Sequence, residues 1–200
     1  MRIAILGTGT AGTTLATGLV AAGHDVVFGS RTPAAKTDLP APAVTIADAI
    51  SGADLVVSAL QGAAALAALT DLKEELIGYV LLDLSNAVTP QFDLVYPNAS
   101  LGAALQAALP QTKVVKSINT LAISTLIAPD DLASPTQLFL SGDDTAAKAV
   151  VAEMLVSLGW PSEQQLDLGG IETARGPEHW FLLFFGIMRA GGPFNLAIVR

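Results

Sequence analysis

Short runs of apolar residues alternate with longer segments of helical periodicity along almost the whole chain. The apolar runs, which predict strands, are residues 3–6, 25–29, 44–46, 55–60, 80–84, 113–118, 138–140 and 165–168. The segments with helical spacing, which predict helices, are residues 11–22, 47–51, 63–76, 100–109, 145–158 and 177–189. The pattern therefore predicts β-strands and α-helices that alternate nearly throughout.

The order of these predicted elements indicates one fold class. Strands that alternate with helices and show little polar alternation build a parallel sheet with helices on both faces. We predict an α/β protein of the Rossmann type, with a doubly wound, mostly parallel sheet and a short C-terminal helical extension. Residues 1–168 are expected to form the Rossmann domain, and residues 169–200 the extension, which packs at the substrate side of the same domain.

Composition narrows the classes of function. Hydrophobic residues make up 52% of the 200 residues and charged residues 14%, a balance that supports a large core and excludes disorder. The net charge of −8 argues against nucleic acid as a partner, because an acidic protein repels its phosphates. The chain has no cysteine and only two histidines, so no metal site is predicted.

Targeting signals bear on the location of the protein. The first apolar run leads into a glycine-rich turn instead of a small-residue cleavage site, so no signal peptide is predicted. The longest aromatic and apolar run, residues 180–188, is too short to cross a bilayer. We therefore expect a cytoplasmic protein without a membrane partner.

The turn after the first predicted strand carries the strongest motif. It is a G-x-G-x-x-G sequence that opens a helix, and it consists of Gly7, Thr8, Gly9, Thr10, Ala11 and Gly12. The first glycine permits the tight turn, the second lets the backbone approach a pyrophosphate, and the third lets helix and sheet pack closely. Free N–H groups at the helix N-terminus attract the phosphates. The motif predicts a dinucleotide site; a purely structural turn is the alternative.

The end of the second predicted strand indicates which dinucleotide binds. NAD sites usually carry Asp or Glu there, whereas this chain has Gly29, Ser30, Arg31 and Thr32. A serine hydroxyl and an arginine fork suit a 2′-phosphate, and Lys36 adds charge one turn into the next helix. We therefore predict that the cofactor is NADP(H). The alternative is that both cations are solvated surface charges.

Segments spread over nearly the whole length carry a family resemblance. They are IAILGTGTAGTTLATGLVAAGHDVVFGSR, LVVSAL, LLDLSNAV, VVKSINT, SGDDTAAKAVVAEML, LDLGGIETAR and IMRAGGPFNLAIVR. The first is shared with many Rossmann proteins, while VVKSINT and SGDDTAAK in this order and spacing are more specific. On these segments the chain resembles the F420-dependent NADP oxidoreductase family, which also includes the cytosolic domain of the STEAP metalloreductases.

The resemblance implies further site residues. It implies that the NADP phosphates are held by Thr8, Ser30, Arg31 and Lys36. It also implies that the nicotinamide side is lined by Ala59, Leu60, Asn86 and Asn119. The implied second substrate is coenzyme F420 or a flavin, and the position of Asn119 resembles a histidine that contacts the deazaflavin in enzymes that use F420.

The predicted function is hydride transfer between NADP(H) and a second cofactor or small redox acceptor. Transfer to a deazaflavin needs stacked rings and exclusion of water, whereas a carbonyl or imine acceptor needs a proton donor. No acid–base pair stands out, and Asn119 and His179 are the candidate catalytic residues. Asp83 is predicted either to orient the following loop through Asn86 or to bond the backbone there.

Two alternatives stay open at this point. One is a flavin, imine or carbonyl reductase that does not use F420, and the other is a non-catalytic sensor that binds NADP(H). The last predicted helix is apolar on nearly all sides, which favours burial in the core or in a homodimer interface over the wall of an acceptor pocket. Its large residues are Trp180, Phe181, Phe184, Phe185 and Met188.

Overall fold

A computed structural model describes residues 1–129, 132, 134–192, 194 and 197–198. The strands are β1 (Arg2–Leu6), β2 (Asp25–Gly29), β3 (Ala43–Val44), β4 (Leu55–Ser58), β5 (Val80–Asp83), β6 (Lys113–Lys116), β7 (Leu138–Leu140) and β8 (Gln165–Asp167). The α-helices are α1 (Thr10–Ala21), α2 (Ile46–Ile50), α3 (Gly62–Thr70), α4 (Leu101–Ala108), α5 (Ile123–Leu126), α6 (Thr145–Ser157) and α7 (Arg175–Gly191). Short 3₁₀ turns cover Pro33–Ala35, Ser162–Gln164 and Ile171–Ala174.

The main sheet is parallel and doubly wound. Its strand order is β3-β2-β1-β4-β5-β6, and each neighbouring pair runs in the same direction. The chain moves outward on one side of β1 and then returns to build the other side from β4. This is the Rossmann order, in which a ligand crevice forms beyond the carboxyl ends of the strands where the winding reverses. The predicted fold class is confirmed.

The last two strands stand apart from this sheet. β7 and β8 pair in parallel with one another, and an antiparallel bridge from Lys116 to Ser141 links them to the end of β6. Both strands were predicted from sequence, but their separation from the main sheet was not. The separation of β7 and β8 from the main sheet is consistent with their length. Each strand has only three residues and so offers few backbone hydrogen bonds to a neighbouring strand, and helix α6 connects the two.

Helices cover the sheet on both faces. Alternate residues of each strand point to opposite sides, so that Ile3 and Ile5 belong to one buried cluster and Ala4 and Leu6 to the other. The fully buried Trp160 closes the first cluster, with its indole N–H donating to the Leu126 carbonyl at 2.8 Å. Two-sided burial explains why the strands read as continuous apolar runs.

Two helix predictions need correction. The helix predicted over 63–76 ends at Thr70, and turns follow until Gly78. The expectation that the last helix is buried in the core is also wrong, because only Pro177 and Glu178 of α7 are buried, while Leu182 and Leu183 are 49% and 55% exposed. Helix α7 contacts α4 and the preceding 3₁₀ turn, and Glu178 in its first turn bonds the start of α4. The homodimer stays a prediction.

Among the described residues, no helix is long and apolar enough to cross a bilayer.

Candidate dinucleotide-binding site

The glycine-rich turn joins β1 to α1 at the carboxyl edge of the sheet. Gly7 has φ of +123°, and a Cβ atom there would lie 2.5 Å from the Ala59 carbonyl oxygen. A Cβ atom at Gly12 would overlap the Gly7 carbonyl oxygen. The first and third glycines are therefore required by the fold itself, since side chains at either position would push α1 away from the strands.

The middle glycine is different. A Cβ atom at Gly9 would meet no other atom of the described chain within 4 Å, so the fold alone does not require glycine there. Gly9 is the N-cap of α1 and provides no side-chain cap for the first turn, which begins with Thr10 and Ala11. The helix therefore points uncapped N–H groups and the positive end of its dipole into open space.

A cleft of about 500 Å³ opens beside this turn, between the ends of β1 and β2 and the start of α3. The predicted residues among its lining are Gly7, Thr8, Ser30, Arg31, Lys36 and Leu60. Ser30 is nearly buried, and its Oγ accepts the Thr32 N–H at 3.1 Å, which shapes the turn that carries the exposed Arg31. The structure thus brings both cations and the glycine turn to one cleft.

Sequence reasoning missed one wall of the cleft. This wall is formed by residues of α3 and of the turn on either side of it, namely Gln61, Ala64, Ala68, Asp71 and Leu72. Alanines four residues apart share a helix face and leave room in front of it. The signal is hidden in the sequence, because α3 carries alanine on all sides and so does not mark the face that lines the cleft.

Two asparagines meet at the end of β5 and β6. The Asn86 amide nitrogen donates to the Asn119 carbonyl at 2.8 Å, and the Asn119 amide nitrogen donates to Asn86 Oδ1 at 3.0 Å. The helix that walls the cleft touches this pair, because a Cβ atom at Gly62 would overlap the Asn86 carbonyl oxygen. The pair therefore adjoins the start of α3, on the side of β1 away from Arg31, and neither asparagine is among the described residues that line the cleft.

The backbone before Asn119 is strained. Ile118 has φ of +70°, a left-handed conformation that a β-branched residue rarely adopts. Its side chain is buried, with 3% exposed, in the core cluster that contains Trp160. Such a conformation persists only where the surrounding structure fixes it, and it occurs often at ligand sites.

Asp83 has partners that the sequence did not reveal. Its carboxylate contacts Lys116 Nζ at 2.6 Å and accepts the Ser85 hydroxyl at 2.9 Å, so it bonds the loop through a side chain, that of Ser85, instead of through Asn86 or the backbone. The physical reason is register, because Asp83 and Lys116 are paired positions of β5 and β6 and their side chains share one face. Asp83 thus acts on the loop one residue before Asn86.

His179 lies away from the cleft. Its Nε2 is 3.1 Å from the Tyr96 carbonyl oxygen and 3.2 Å from the Ala99 carbonyl oxygen, a geometry that commits this nitrogen as a donor to the loop before α4. It is absent from the cleft lining among the described residues. His24, at the opposite edge, contacts the Met1 amino group and Ser157.

Fold and site together define a dinucleotide-binding α/β protein. The open cradle at Gly9 and the cations beside it fit an anionic ligand with an additional phosphate. Comparison with known proteins agrees. The family described as "NADP oxidoreductase coenzyme F420-dependent" matches residues 2–87, which include the glycine turn, Arg31 and Asn86.

Individual relatives extend over the rest of the chain. A solved structure from Arthrobacter sp. FB24, provisionally named an F420-dependent NADP reductase, is 39% identical, covers 100% of both chains and has a TM-score of 0.92. The F420-dependent NADP reductase of Methanothermobacter marburgensis is 28% identical over 88% of this chain and 87% of its own length. The metalloreductase STEAP3 of Rattus norvegicus is 31% identical over 88% of this chain.

The chain belongs to the F420-dependent NADP oxidoreductase family. The resemblance predicted from the sequence is confirmed. The match covers only 36% of STEAP3, so the chain spans about a third of that relative.

Proposed function

We propose that this chain binds NADP(H) across the carboxyl edge of its sheet and transfers hydride between it and a second redox cofactor, coenzyme F420. The observation that carries the proposal is the cleft that unites Arg31 and Lys36 with the glycine turn. The names of the relatives from Arthrobacter and Methanothermobacter support F420 as the second cofactor.

The phosphates of the dinucleotide are assigned to one half of the site. The uncapped N-terminus of α1, with Thr8, Gly9 and the turn that ends at Gly12, receives the pyrophosphate. Arg31 and Lys36, with the Ser30 hydroxyl, hold the 2′-phosphate through charge-assisted hydrogen bonds. The Ser30 oxygen already accepts the Thr32 N–H, which leaves its proton free to donate.

The nicotinamide is assigned to the other half, beside Ala59, Leu60 and the asparagine pair. A nicotinamide carboxamide offers a donor and an acceptor, which asparagine amides complement. The reciprocal bonds between Asn86 and Asn119 fix both side chains while leaving Asn119 Oδ1 outside that exchange. Pre-oriented amides hold a ring at lower entropic cost than mobile ones.

The chemistry favours an acceptor that needs no proton from the protein. When bound, the nicotinamide ring supplies or receives the hydride, and the residues of this chain orient it and exclude water. His179, the predicted proton donor, lies outside the described lining of the cleft, and its Nε2 faces the Tyr96 and Ala99 carbonyls instead. This arrangement supports a deazaflavin over a carbonyl or imine acceptor.

The test mixes the purified protein with NADPH and oxidised F420 and follows loss of the deazaflavin absorption. We expect a protein-dependent loss that Arg31→Ala slows at limiting NADPH. Binding of NADPH without turnover of F420, of a flavin or of an imine panel would contradict the proposal. That result, with a large difference between the affinities for NADP and NADPH, would instead support a redox sensor.

A further inference from the structure

A group of buried charged side chains lies beside the two chain segments that carry Asn86 and Asn119. We call it the charge cluster; it consists of Asp83, Lys116 and Glu178, whose residues are 0%, 1% and 4% exposed. Lys116 Nζ is 2.6 Å from Asp83 Oδ2 and 3.3 Å from Glu178 Oε1. The cluster thus joins β5, β6 and α7 in a region closed to water.

Every charge in the cluster has partners. The Lys116 ammonium donates hydrogen bonds to the Asp83 carboxylate and to the Ser85 carbonyl, and it forms an ion pair with Glu178. Glu178 accepts the Leu101 N–H at 2.7 Å and the Gly102 N–H at 2.9 Å, so that a residue of α7 caps the first turn of α4. A fully bonded buried network of this kind is rigid, and loss of one partner leaves a charge uncompensated.

The cluster holds both segments that carry the asparagines. The Ser85 carbonyl bonded by Lys116 is the group immediately before Asn86. Lys116 itself lies three residues before Asn119, and the strained Ile118 stands between them. The two segments are therefore joined twice, by the bond from Lys116 to the Ser85 carbonyl and by the asparagine pair, and Ile118 lies between these two links in the chain.

The cluster lies apart from the other half of the site. The cleft lining contains none of its members among the described residues, and Arg31 and Lys36 follow β2, on the other side of β1 from β5 and β6. A disturbance of the cluster reaches the asparagines through one or two residues of backbone, but reaches Arg31 only across several strands. A substitution in the charge cluster should therefore weaken ligands that contain the nicotinamide more than ligands that contain only the adenosine end.

We infer that Lys116 and Glu178 are positioning residues, which couple the seating of α7 to the orientation of Asn86 and Asn119 against the nicotinamide end of NADP(H). The inference rests on the proposed function. Neither residue touches the cofactor in this account. Glu178 holds Lys116 and the start of α4, and Lys116 holds the loop of Asn86 and the strand end of Asn119.

Glu178→Gln removes the charge of the Glu178 side chain without changing its size. The variant keeps the shape of the side chain but has one acceptor oxygen, and its amide nitrogen must face either the Lys116 ammonium or a backbone N–H of α4. Glu163→Gln is the matched control, because it makes the same change of charge at an exposed position. A second variant, Gly102→Ala, disturbs the bonds of Glu178 without altering charge. Its Cβ would lie 3.1 Å from Ala174 Cβ and 3.3 Å from Ile171 Cδ1, so the first turn of α4, whose Gly102 N–H donates to Glu178, must shift.

The experiment compares two ligands by calorimetry. NADPH occupies the whole proposed site, whereas 2′,5′-ADP carries only the adenosine and phosphate end. We expect Glu178→Gln to weaken NADPH binding about tenfold and 2′,5′-ADP binding by less than about twofold. Gly102→Ala should show the same pattern with a smaller change, and Glu163→Gln should change neither. The fluorescence of the bound reduced nicotinamide should fall in both cluster variants.

The outcomes separate this inference from the proposed function. Equal losses for both ligands, or no loss for either, would overturn the positioning role while leaving the NADP site intact. A wild-type protein that binds neither ligand would overturn the proposed function and the inference with it. If Glu178→Gln fails to fold, the Gly102→Ala comparison decides by the same criterion.

Discussion

The cleft at Arg31 and the asparagine pair are adjacent, but they are built from different kinds of contact. The groups proposed to bind the phosphates come from two short stretches, residues 7–12 and 30–36, while α3 and its flanking turns add one wall of the cleft. The asparagine pair joins residues 33 positions apart, and Glu178 reaches backbone groups 76 and 77 positions away. One half of the site is thus local in sequence, and the other depends on the assembled fold.

This difference predicts how each half responds to mutation. A local turn stays formed as long as its own backbone is satisfied, so changes there should alter ligand binding more than stability. A region held by distant buried charges should lose stability and ligand geometry together. Substitutions in the two halves therefore provide a direct test.

The largest effect is expected for Lys116→Met. Removing the ammonium leaves Asp83 and Glu178 buried without their shared counter-charge, so the free energy of unfolding should fall by about 3–5 kcal/mol. Urea denaturation measures the change. Lys113→Met, on the same strand but with a side chain 44% exposed, should cost less than about 1 kcal/mol. Similar losses of unfolding free energy in both variants would show that the buried network stabilises the fold no more than an exposed ion pair does.

Arg31→Ala is expected to act on the cofactor alone. A charge-assisted hydrogen bond contributes about 1.5–3 kcal/mol, so NADPH binding should weaken roughly ten- to a hundredfold more than NADH binding. Stability should stay unchanged, since Arg31 is exposed. Lys113→Ala, at the opposite edge of the sheet, serves as the control. Equal losses for the two dinucleotides would remove the 2′-phosphate assignment.

Two glycines of the turn, Gly9 and Gly12, allow stability and cofactor binding to be tested separately within one motif. Gly12→Ala should destabilise the fold by about 1–3 kcal/mol, because its Cβ overlaps the Gly7 carbonyl. Gly9→Ala should leave thermal unfolding nearly unchanged yet weaken NADPH binding about tenfold or more, because its Cβ points into space reserved for the ligand. A Gly9→Ala protein with normal NADPH affinity would contradict the pyrophosphate site.

The smallest effect concerns pH, at the edge away from the site. Burial, and then the Met1 ammonium, lower the pKa of His24 from its ordinary value of 6.5. His24 therefore binds a proton more readily in the unfolded chain than in the folded protein. Above about pH 6.5 its protonation does not affect the free energy of unfolding, and as the pH falls below that value the protonation of His24 progressively lowers it. Between about pH 7.5 and pH 5, His24→Gln should lose less unfolding free energy than the wild type. Matching pH slopes would exclude the effect.

Features that depend on residues close together in the chain are predicted well from the sequence. The alternation of apolar runs and helical segments leads to the Rossmann order, and the G-x-G-x-x-G turn and Arg31 lead to the cleft. The charge cluster could not be foreseen, because Asp83 and Lys116 are brought together by strand register and Glu178 by the docking of α7. Apolar composition likewise predicted a buried last helix, although exposure depends on what the fold places beside it.

The proposed function depends on direct hydride transfer from NADPH bound in the Arg31 cleft to a deazaflavin. The most direct test uses NADPH that carries deuterium at the transferable position of the nicotinamide and analyses the reduced F420 by mass spectrometry. We expect deuterium in the reduced deazaflavin ring, formed more slowly by Arg31→Ala at limiting NADPH. Reduced F420 without the label, or no reduction while NADPH is bound, would contradict it.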